Sequence, residues 1–227
     1  MSGPERPSLV EVVGVAGAGK STLVRLLCAD GEGFRRGEFI HARNPRHLVG
    51  IARTIPRLLP LLMANAGSGR RPTWAETKLL VYATAWHRVL ERNARAGVVT
   101  VLDQGPLYAV VRLTANGARM TRSARFARWR DDVLDAWAER LDAIVWLDAP
   151  DATLWHRINE RPETHATKGI RTEAGLAFLT TYRGLFEEAI ARLEERGGPR
   201  ILRFDTGEMT GDEVAAGVRD ALAHVSG

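Results

Sequence analysis

The sequence is poor in lysine, cysteine and long hydrophobic runs. Lysine occurs only at positions 20, 78 and 168, although the 227-residue chain carries 32 basic residues and a net charge of +5. The single cysteine, Cys28, excludes a disulfide within the chain and a metal site built from several cysteines. The apolar stretch at residues 58–69 is too short to span a bilayer and contains Pro60. We therefore expect no membrane-spanning segment and a reducing, cytoplasmic environment.

Arginine supplies most of the positive charge, and it suits either nucleic acid or a pocket for small phosphorylated anions. Four arginines recur every third residue at positions 119, 122, 125 and 128. The same predicted helix carries an apolar stripe that includes Phe126, Trp129 and Trp137. This pattern favours an amphipathic helix with its arginines in water over a nucleic-acid surface. The apolar stripe could also pack against a second copy, so a homodimer stays open.

Apolar runs and helical patterns alternate along the chain, which is typical of a parallel sheet covered on both faces by helices. The sequence predicts strands at residues 9–15, 98–102, 143–147 and 201–204, with a short additional strand at 38–41. It predicts helices at residues 21–29, 44–65 (kinked or broken by Pro56 and Pro60), 73–95, 118–141, 151–161 and 172–196, and a last helix from 210. We expect a polar tail at residues 1–8 and one three-layer α/β domain of about five strands at 9–227.

A glycine-rich motif follows the first strand and opens the first helix. Residues 14–21 read GVAGAGKS and match the phosphate-loop pattern in full. Glycines let successive backbone N–H groups converge on phosphate oxygens, and the helix N-terminus adds its positive dipole end. Lys20 is expected to reach the β- and γ-phosphates, and the Ser21 hydroxyl to bind Mg²⁺. The predicted nucleotide-binding residues are Gly14, Ala16, Gly17, Ala18, Gly19, Lys20, Ser21 and Thr22.

An acidic residue, Asp103, follows the buried strand at residues 98–102. Ligands of open parallel sheets bind at the carboxyl ends of the strands, so we expect this carboxylate beside the phosphate loop. There it can hold the Mg²⁺ shell, or orient or deprotonate an acceptor hydroxyl. Asp148 and Asp205, after later strands, are weaker candidates for this role.

A basic segment after the fourth strand predicts a mobile lid at about residues 157–171. Arg157 and Arg161 are four positions apart and share a helix face, and the polar loop that follows contains Lys168. Mobile basic segments of this kind close over phosphates and neutralise transition-state charge. We therefore expect Arg157 and Arg161 to assist catalysis and Lys168 to bind the nucleotide.

The order of these motifs resembles the phosphate-loop nucleoside and nucleotide kinases, thymidylate kinase most of all. The resemblance spans residues 9–225 and includes VVTVLDQG, AIVWLDAP and RILRFDTG after the phosphate loop. It implies a three-layer fold, Mg-ATP as phosphoryl donor and transfer to a small acceptor. Thymidylate kinases usually carry an aspartate where this chain has Ala16, and Asp-Arg where it has Asp103 and Gln104. Both departures remove groups that engage a nucleotide acceptor, so a sugar or similar metabolite is an alternative acceptor.

Other classes of phosphate-loop protein remain as alternatives. A guanine-selective switch usually needs an Asn-Lys-x-Asp stretch, and no asparagine of this chain is followed by lysine. Motor and recombination proteins usually have longer cores and need an arginine from a neighbouring subunit. A nucleotide-binding protein without kinase activity is the last alternative. The sequence thus predicts an ATP-dependent small-molecule kinase, with a nucleoside or nucleotide as the first choice of acceptor.

Overall fold

A five-stranded parallel sheet forms the centre of the protein. The computed structural model describes residues 9–31, 33–37, 45–64, 72–93, 97–116, 119–160 and 172–223. Five strands lie within them: β1 (Leu9–Gly14), β2 (Phe34–Arg36), β3 (Val99–Asp103), β4 (Ala143–Asp148) and β5 (Arg200–Asp205). The sheet confirms the predicted α/β class, and four of the five strands lie where the sequence predicts them.

The described helices connect and cover these strands. They are α1 (Lys20–Leu27), α2 (Pro45–Ala64), α3 (Trp74–Asn93), α4 (Pro106–Asn116), α5 (Ala124–Ala138), α6 (Asp151–Glu160), α7 (Thr172–Glu195) and α8 (Gly211–Ala223), with a short 3₁₀ helix at Arg119–Arg122. Helices α1 and α8 pack together, while α2, α3, α4, α5 and α7 form a second continuous group. A capping box begins α8, since Glu213 accepts from the Thr210 amide at 2.8 Å.

The strand order, β2-β3-β1-β4-β5, places β1 in the middle of the sheet. Val12 of β1 pairs with Asp103 of β3 on one side, and Gly14 pairs with Leu147 of β4 on the other. Strands buried on both faces read as continuous apolar runs, which explains why β1, β3 and β4 are recognisable from sequence. After β1 the chain forms β2 and β3 on one side of β1, and it then crosses to form β4 and β5 on the other side. A topological switch point therefore lies at the carboxyl end of β1.

The second strand differs from its prediction. It lies at Phe34–Arg36, and the predicted segment at 38–41 is outside the described residues. Gly33 and Gly37 flank the strand and continue its pairing, because Val99 N donates to Gly33 O at 2.7 Å and Gly37 N donates to Val101 O at 2.8 Å. Because β2 lies at the edge of the sheet, it needs no apolar run. Its two arginines therefore give no strand pattern that sequence analysis could recognise.

The helix predicted at residues 44–65 is present at 45–64 and is not broken, with Pro56 and Pro60 inside it. Both prolines are exposed, and each lacks the backbone N–H that would bond the carbonyl four residues earlier. The predicted helix at 118–141 is instead a 3₁₀ turn and α5, preceded by the unpredicted α4. Ser123 begins α5 by accepting from the Phe126 amide at 3.1 Å.

The apolar stripe of α5 is buried as predicted. Phe126, Trp129 and Trp137 are all less than a tenth exposed and belong to one hydrophobic core with the strands. None of the helices described here combines the length and the hydropathy that a membrane span requires. The predicted tail at residues 1–8 and the predicted lid from residue 161 to residue 171 lie outside the described residues.

Candidate functional site

The phosphate loop joins β1 to α1 and bends at three glycines with left-handed φ angles. Gly14, Gly17 and Gly19 have φ angles of 151°, 88° and 86°. A Cβ atom on Gly14 would lie 2.2 Å from the Leu147 carbonyl oxygen, and one on Gly17 would lie 2.8 Å from the Leu154 carbonyl oxygen. The loop therefore packs directly against β4 and α6, and side chains are excluded at both contacts.

Lys20 is the first residue of α1, and its ammonium group turns back onto the loop. Its Nζ atom donates to the carbonyl oxygens of Gly14 at 2.8 Å and Val15 at 2.7 Å. The charge of Lys20 thus lies at the same loop as the N-terminus of α1, whose first amides carry positive partial charge. Ala16 and Ala18 pack on the core beneath the loop, while Ser21 and Thr22 are exposed on the first turn of α1.

Asp103 ends β3 and meets α1 at Ser21, as the sequence predicts. Ser21 Oγ donates to Asp103 Oδ2 at 3.2 Å. Arg36 Nη2 donates to the same oxygen at 3.1 Å, although its own side chain is 59% exposed. Sequence analysis missed Arg36, because it lies on the unpredicted edge strand. These three side chains, from α1, β2 and β3, converge at the carboxyl edge of the sheet.

The second carboxylate oxygen of Asp103 is buried without a partner. Asp103 as a whole is 6% exposed, and its Oδ1 atom accepts no hydrogen bond from any residue in the described ranges. A buried, unpaired carboxylate oxygen is costly unless a ligand or solvent satisfies it. The hydroxyl of Ser21 and the carboxylate of Asp103 are hard oxygen donors, the type that Mg²⁺ prefers. The residues present therefore fit a magnesium ion.

A cavity of about 480 Å³ adjoins the phosphate loop on the side of α6 and α8. Residues 17–19 of the loop, Thr22, Arg157, Thr206 and Gly211 contribute to its wall. Arg157 is held in this wall by Thr206, whose hydroxyl and carbonyl oxygens accept from its guanidinium at 3.1 and 2.7 Å. The structure thus places Arg157 beside the phosphate loop. The predicted residues Arg161 and Lys168 lie outside the described residues.

The two weaker acidic candidates have structural partners. Asp148 accepts from Arg183 at 2.6 and 3.1 Å, and Arg183 also bonds Asp151 at 2.6 Å. These carboxylates raise the pKa of Arg183 above its usual range, so the group is permanently charged. Asp205 accepts from the Gly207 amide at 2.7 Å in the turn after β5. Their contacts anchor loops, and neither carboxylate shares the partners of Asp103.

Sequence analysis also missed Glu11, a fully buried carboxyl in the middle of β1. Burial raises its pKa from 4.5 to about 8, against backbone N–H donors of Tyr108, Leu107 and Gly105, which lower it. The sequence did carry a signal for Glu11, because it is the one acidic residue in the apolar strand β1. An acidic residue buried on a central strand needs polar partners, which indicates a specific contact. Glu11 accepts hydrogen bonds from backbone amides just after Asp103, at Leu107 and Tyr108.

Comparison with known proteins agrees with this architecture. The AAA domain family model matches residues 9–189, which is more than half of the chain. No curated protein matches the sequence. A structure of deoxyadenosine kinase from M. mycoides with bound dATP is similar with a TM-score of 0.56 and 15% identity, over 95% of this chain and 99% of that chain. The structure of thymidylate kinase from Candida albicans is similar with a TM-score of 0.58 and 12% identity, over 97% and 93% of the two chains.

At these identities the similarity to the two kinases is one of fold, and it extends over nearly the whole length of each chain. The match to the family model includes β1, the phosphate loop and Asp103. The chain therefore belongs to the AAA domain family, and its fold is that of the phosphate-loop nucleoside and nucleotide kinases.

Proposed function

We propose that this protein is a Mg-ATP-dependent phosphotransferase that moves the γ-phosphoryl group of ATP to a small-molecule acceptor. One observation carries the proposal: Asp103 meets Ser21 of the phosphate-loop helix at 3.2 Å and keeps its other carboxylate oxygen buried and unpartnered. A phosphate loop alone is compatible with many nucleotide-binding roles. A buried carboxylate beside it adds the group that orients or deprotonates an attacking hydroxyl.

The donor nucleotide would occupy the phosphate loop and the adjoining cavity. Backbone N–H groups of residues 14–19 would bind the phosphates, together with the side chains of Lys20 and Thr22. Lys20 would exchange the carbonyl oxygens of Gly14 and Val15 for β- and γ-phosphate oxygens. The cavity of about 480 Å³ is within the usual range for a small-molecule site. Arg157, in its wall, would contact the nucleotide or neutralise charge as the phosphoryl group moves.

Ser21 and Asp103 would hold the magnesium ion of Mg-ATP. When bound, this ion would neutralise charge on the β- and γ-phosphates. In the transfer itself, the bond between the γ-phosphorus and the ADP oxygen breaks as a bond forms to the acceptor oxygen. The proton of the acceptor hydroxyl goes to Asp103 or to solvent. Asp103 has two candidate roles, as general base or as the residue that orients metal-bound water.

The first candidate acceptor is a nucleoside or nucleotide. The fold shared with deoxyadenosine kinase and thymidylate kinase supports this choice. A sugar or another non-nucleotide metabolite is the second candidate, which Ala16 and the exposed Gln104 favour because neither side chain carries a charge toward a nucleotide acceptor. A nucleotide-binding role without phosphoryl transfer is the remaining alternative.

The lid and the cellular setting belong to the same proposal. Arg161 and Lys168 would close over the phosphates from the segment that follows α6. The protein would act in the cytoplasm on small molecules, in preference to nucleic acid. A homodimer is compatible with this function and is not required by it.

An acceptor panel tests the proposal. The protein is incubated with Mg-ATP and nucleosides, nucleoside monophosphates or sugars, and products are identified by mass spectrometry. We expect one phosphorylated product class, lost by ~10²-fold or more in Lys20→Ala, as for lost transition-state donors. Lys78→Ala is the matched control, because Lys78 is exposed on α3, and it should leave the rate unchanged. ATP binding without any phosphorylated acceptor would overturn the phosphotransferase assignment.

A further inference from the structure

Two acidic side chains are buried among the described residues, and both border one loop. Asp103 begins the loop of residues 103–106 and is 6% exposed, while Glu11 is fully buried on the neighbouring strand β1. The role proposed above for Asp103 accounts for its burial at the site. Glu11 lies outside that role, and burying a carboxyl on a central strand is unfavourable unless its oxygens are well satisfied.

The oxygens of Glu11 are satisfied by the backbone at the start of α4. Oε2 accepts from the Leu107 amide and Oε1 from the Tyr108 amide, each at 3.1 Å. The Gly105 amide donates a third hydrogen bond to the same carboxyl. Pro106, between them, has no N–H to satisfy. Glu11, on strand β1, thus caps the N-terminus of α4, although 96 positions separate it from Leu107 in the sequence.

The space around the carboxyl also restricts the loop. A Cβ atom on Gly105 would lie 2.5 to 2.8 Å from the Glu11 carboxyl atoms, so only glycine fits against it. Gln104 has a φ angle of 68°, a left-handed conformation that is unfavourable for a residue with a side chain. Such conformations persist only where the surroundings determine them. The strained turn begins at Asp103, and Glu11 holds the residues at its other end through their backbone amides.

We propose that Glu11 is a positioning residue that sets the direction in which Asp103 presents its carboxylate. It does so by holding the amides of residues 105, 107 and 108, so that the turn between β3 and α4 has one conformation. This inference rests on the proposed phosphotransferase function, in which Asp103 acts at the reacting groups and Glu11 acts only through it. The pairing of Val12 with Asp103 fixes the backbone of Asp103 on its strand side. The conformation of the turn that follows Asp103 is therefore the part that Glu11 has to fix.

The substitution Glu11→Gln tests this role with little change in volume. Measured above pH 8, where the Glu11 carboxyl of the folded protein is ionised and accepts through both oxygens, the substitution leaves one oxygen acceptor and an NH₂ group that faces a backbone N–H donor. At least one of the hydrogen bonds to the loop is then lost. We expect kcat to fall on the order of 10²-fold, the effect of a small misplacement of a reacting group. The KM for Mg-ATP should stay within about twofold, because the phosphate loop is untouched.

A core variant separates positioning from loss of stability. Val218 on α8 is fully buried, and Val218→Ala removes apolar contacts without touching the loop of residues 103–106. This control should lower the melting temperature while leaving kcat unchanged at a temperature where the protein is folded. If Glu11→Gln matches Val218→Ala in kcat, Glu11 has a structural role only and the positioning proposal is overturned.

A second measurement does not depend on catalysis. The carboxyl carbon of Asp103 is followed by NMR in protein labelled at aspartate, with Asp103→Asn used to assign its resonance. We expect Glu11→Gln to shift this resonance and to change its response to added Mg²⁺, and Val218→Ala to change neither. An unaltered Asp103 resonance in Glu11→Gln would overturn the proposal.

The same measurement distinguishes failure of this inference from failure of the proposed function. Wild-type protein that phosphorylates no acceptor would contradict the phosphotransferase assignment, while the Asp103 resonance would still report on Glu11. Glu11→Asp serves as the second variant if Glu11→Gln does not fold. It keeps both oxygens but withdraws them by one methylene, so it should shift the Asp103 resonance as well, and an unshifted resonance would contradict the proposal.

Discussion

Ser21 Oγ lies 3.2 Å from Asp103 Oδ2 and donates a hydrogen bond to it, although 82 positions separate the two residues. The contact joins the first turn of α1 to the end of β3 at the switch point of the sheet. Both groups are oxygen donors beside the phosphate loop. Their juxtaposition is the basis of the magnesium assignment and of the first prediction.

The substitution Ser21→Ala should raise the Mg²⁺ concentration needed for half-maximal phosphoryl transfer. The variant loses one of the two protein oxygens assigned to the ion, while the phosphate loop keeps its backbone N–H groups. The measurement is initial rate against Mg²⁺ at fixed ATP, with Thr180→Ala, which removes an exposed hydroxyl on α7, as the control. An unchanged magnesium dependence in Ser21→Ala would remove Ser21 from the site.

Gly17 and Gly19 form a matched pair for testing the packing of the phosphate loop. Their φ angles are nearly equal, 88° and 86°, so an alanine at either position carries a similar backbone cost. A Cβ on Gly17 would also meet the Leu154 carbonyl oxygen at 2.8 Å, whereas one on Gly19 has open space. We expect Gly17→Ala to lower the free energy of unfolding by about 1–3 kcal/mol more than Gly19→Ala, as overpacking does.

Urea unfolding of the two variants measures this difference directly. Equal free energies of unfolding would show that α6 does not pack on the loop as described. In that case the position of Arg157 beside the loop would also be in doubt, since it lies on the same helix as Leu154.

The substitution Asp148→Asn should affect stability more than catalysis. Asp148 bonds Arg183 through both oxygens, and about a quarter of each side chain is exposed. Allowing for that exposure, we expect a loss of about 1–2 kcal/mol in the free energy of unfolding, typical of a charged hydrogen bond. The rate at saturating substrates should stay near the wild-type value. A large loss of kcat with unchanged stability would assign the catalytic carboxylate to Asp148 in place of Asp103.

Glu11 should make the stability of the fold depend on pH in an unusual direction. Its pKa is about 8 in the folded protein against 4.5 for the free group. Between these values the folded protein retains a proton that the unfolded chain releases, so the free energy of unfolding falls as pH rises from 4.5 to 8. The slope from one such group is at most about 1.4 kcal/mol per pH unit.

The contributions of the other titrating groups to the pH dependence cancel when the free energy of unfolding of Glu11→Gln is subtracted from that of the wild type. The difference in their free energies of unfolding should therefore decrease across this pH range and level off above it. Urea unfolding at several pH values provides the measurement. A difference that is constant from pH 4.5 to 8 would contradict the raised pKa of Glu11.

Much of the site was predictable because it depends on local patterns. The apolar runs of β1, β3 and β4 reflect burial on both faces of the sheet, and the phosphate loop follows from glycine spacing. The position of Asp103 beside Ser21 then follows from the rule that ligands bind at the carboxyl ends of strands. Arg36 and Glu11 could not be placed in the same way. Arg36 lies on a three-residue edge strand, and the partners of Glu11 lie about a hundred residues away in sequence.

The helix α4 shows a further limit of sequence analysis. Residues 106–116 begin with proline directly after glycine, which reads as a turn. The structure begins a helix there because Glu11 accepts the amides that open it, a tertiary contact without a local signal. The predicted lid at about residues 157–171 stays a prediction, as does the catalytic role of Arg161.

The most direct test of the account is a single-turnover experiment with ATP labelled on its γ-phosphate, with enzyme in excess and the acceptor identified by the panel. The account predicts that wild-type protein transfers the label to the acceptor, and that Asp103→Asn, with the same shape, binds ATP but transfers it ~10²-fold or more slowly, since general acid-base groups contribute this much. Transfer by Asp103→Asn at the wild-type rate would contradict the assignment of the reacting centre to Asp103.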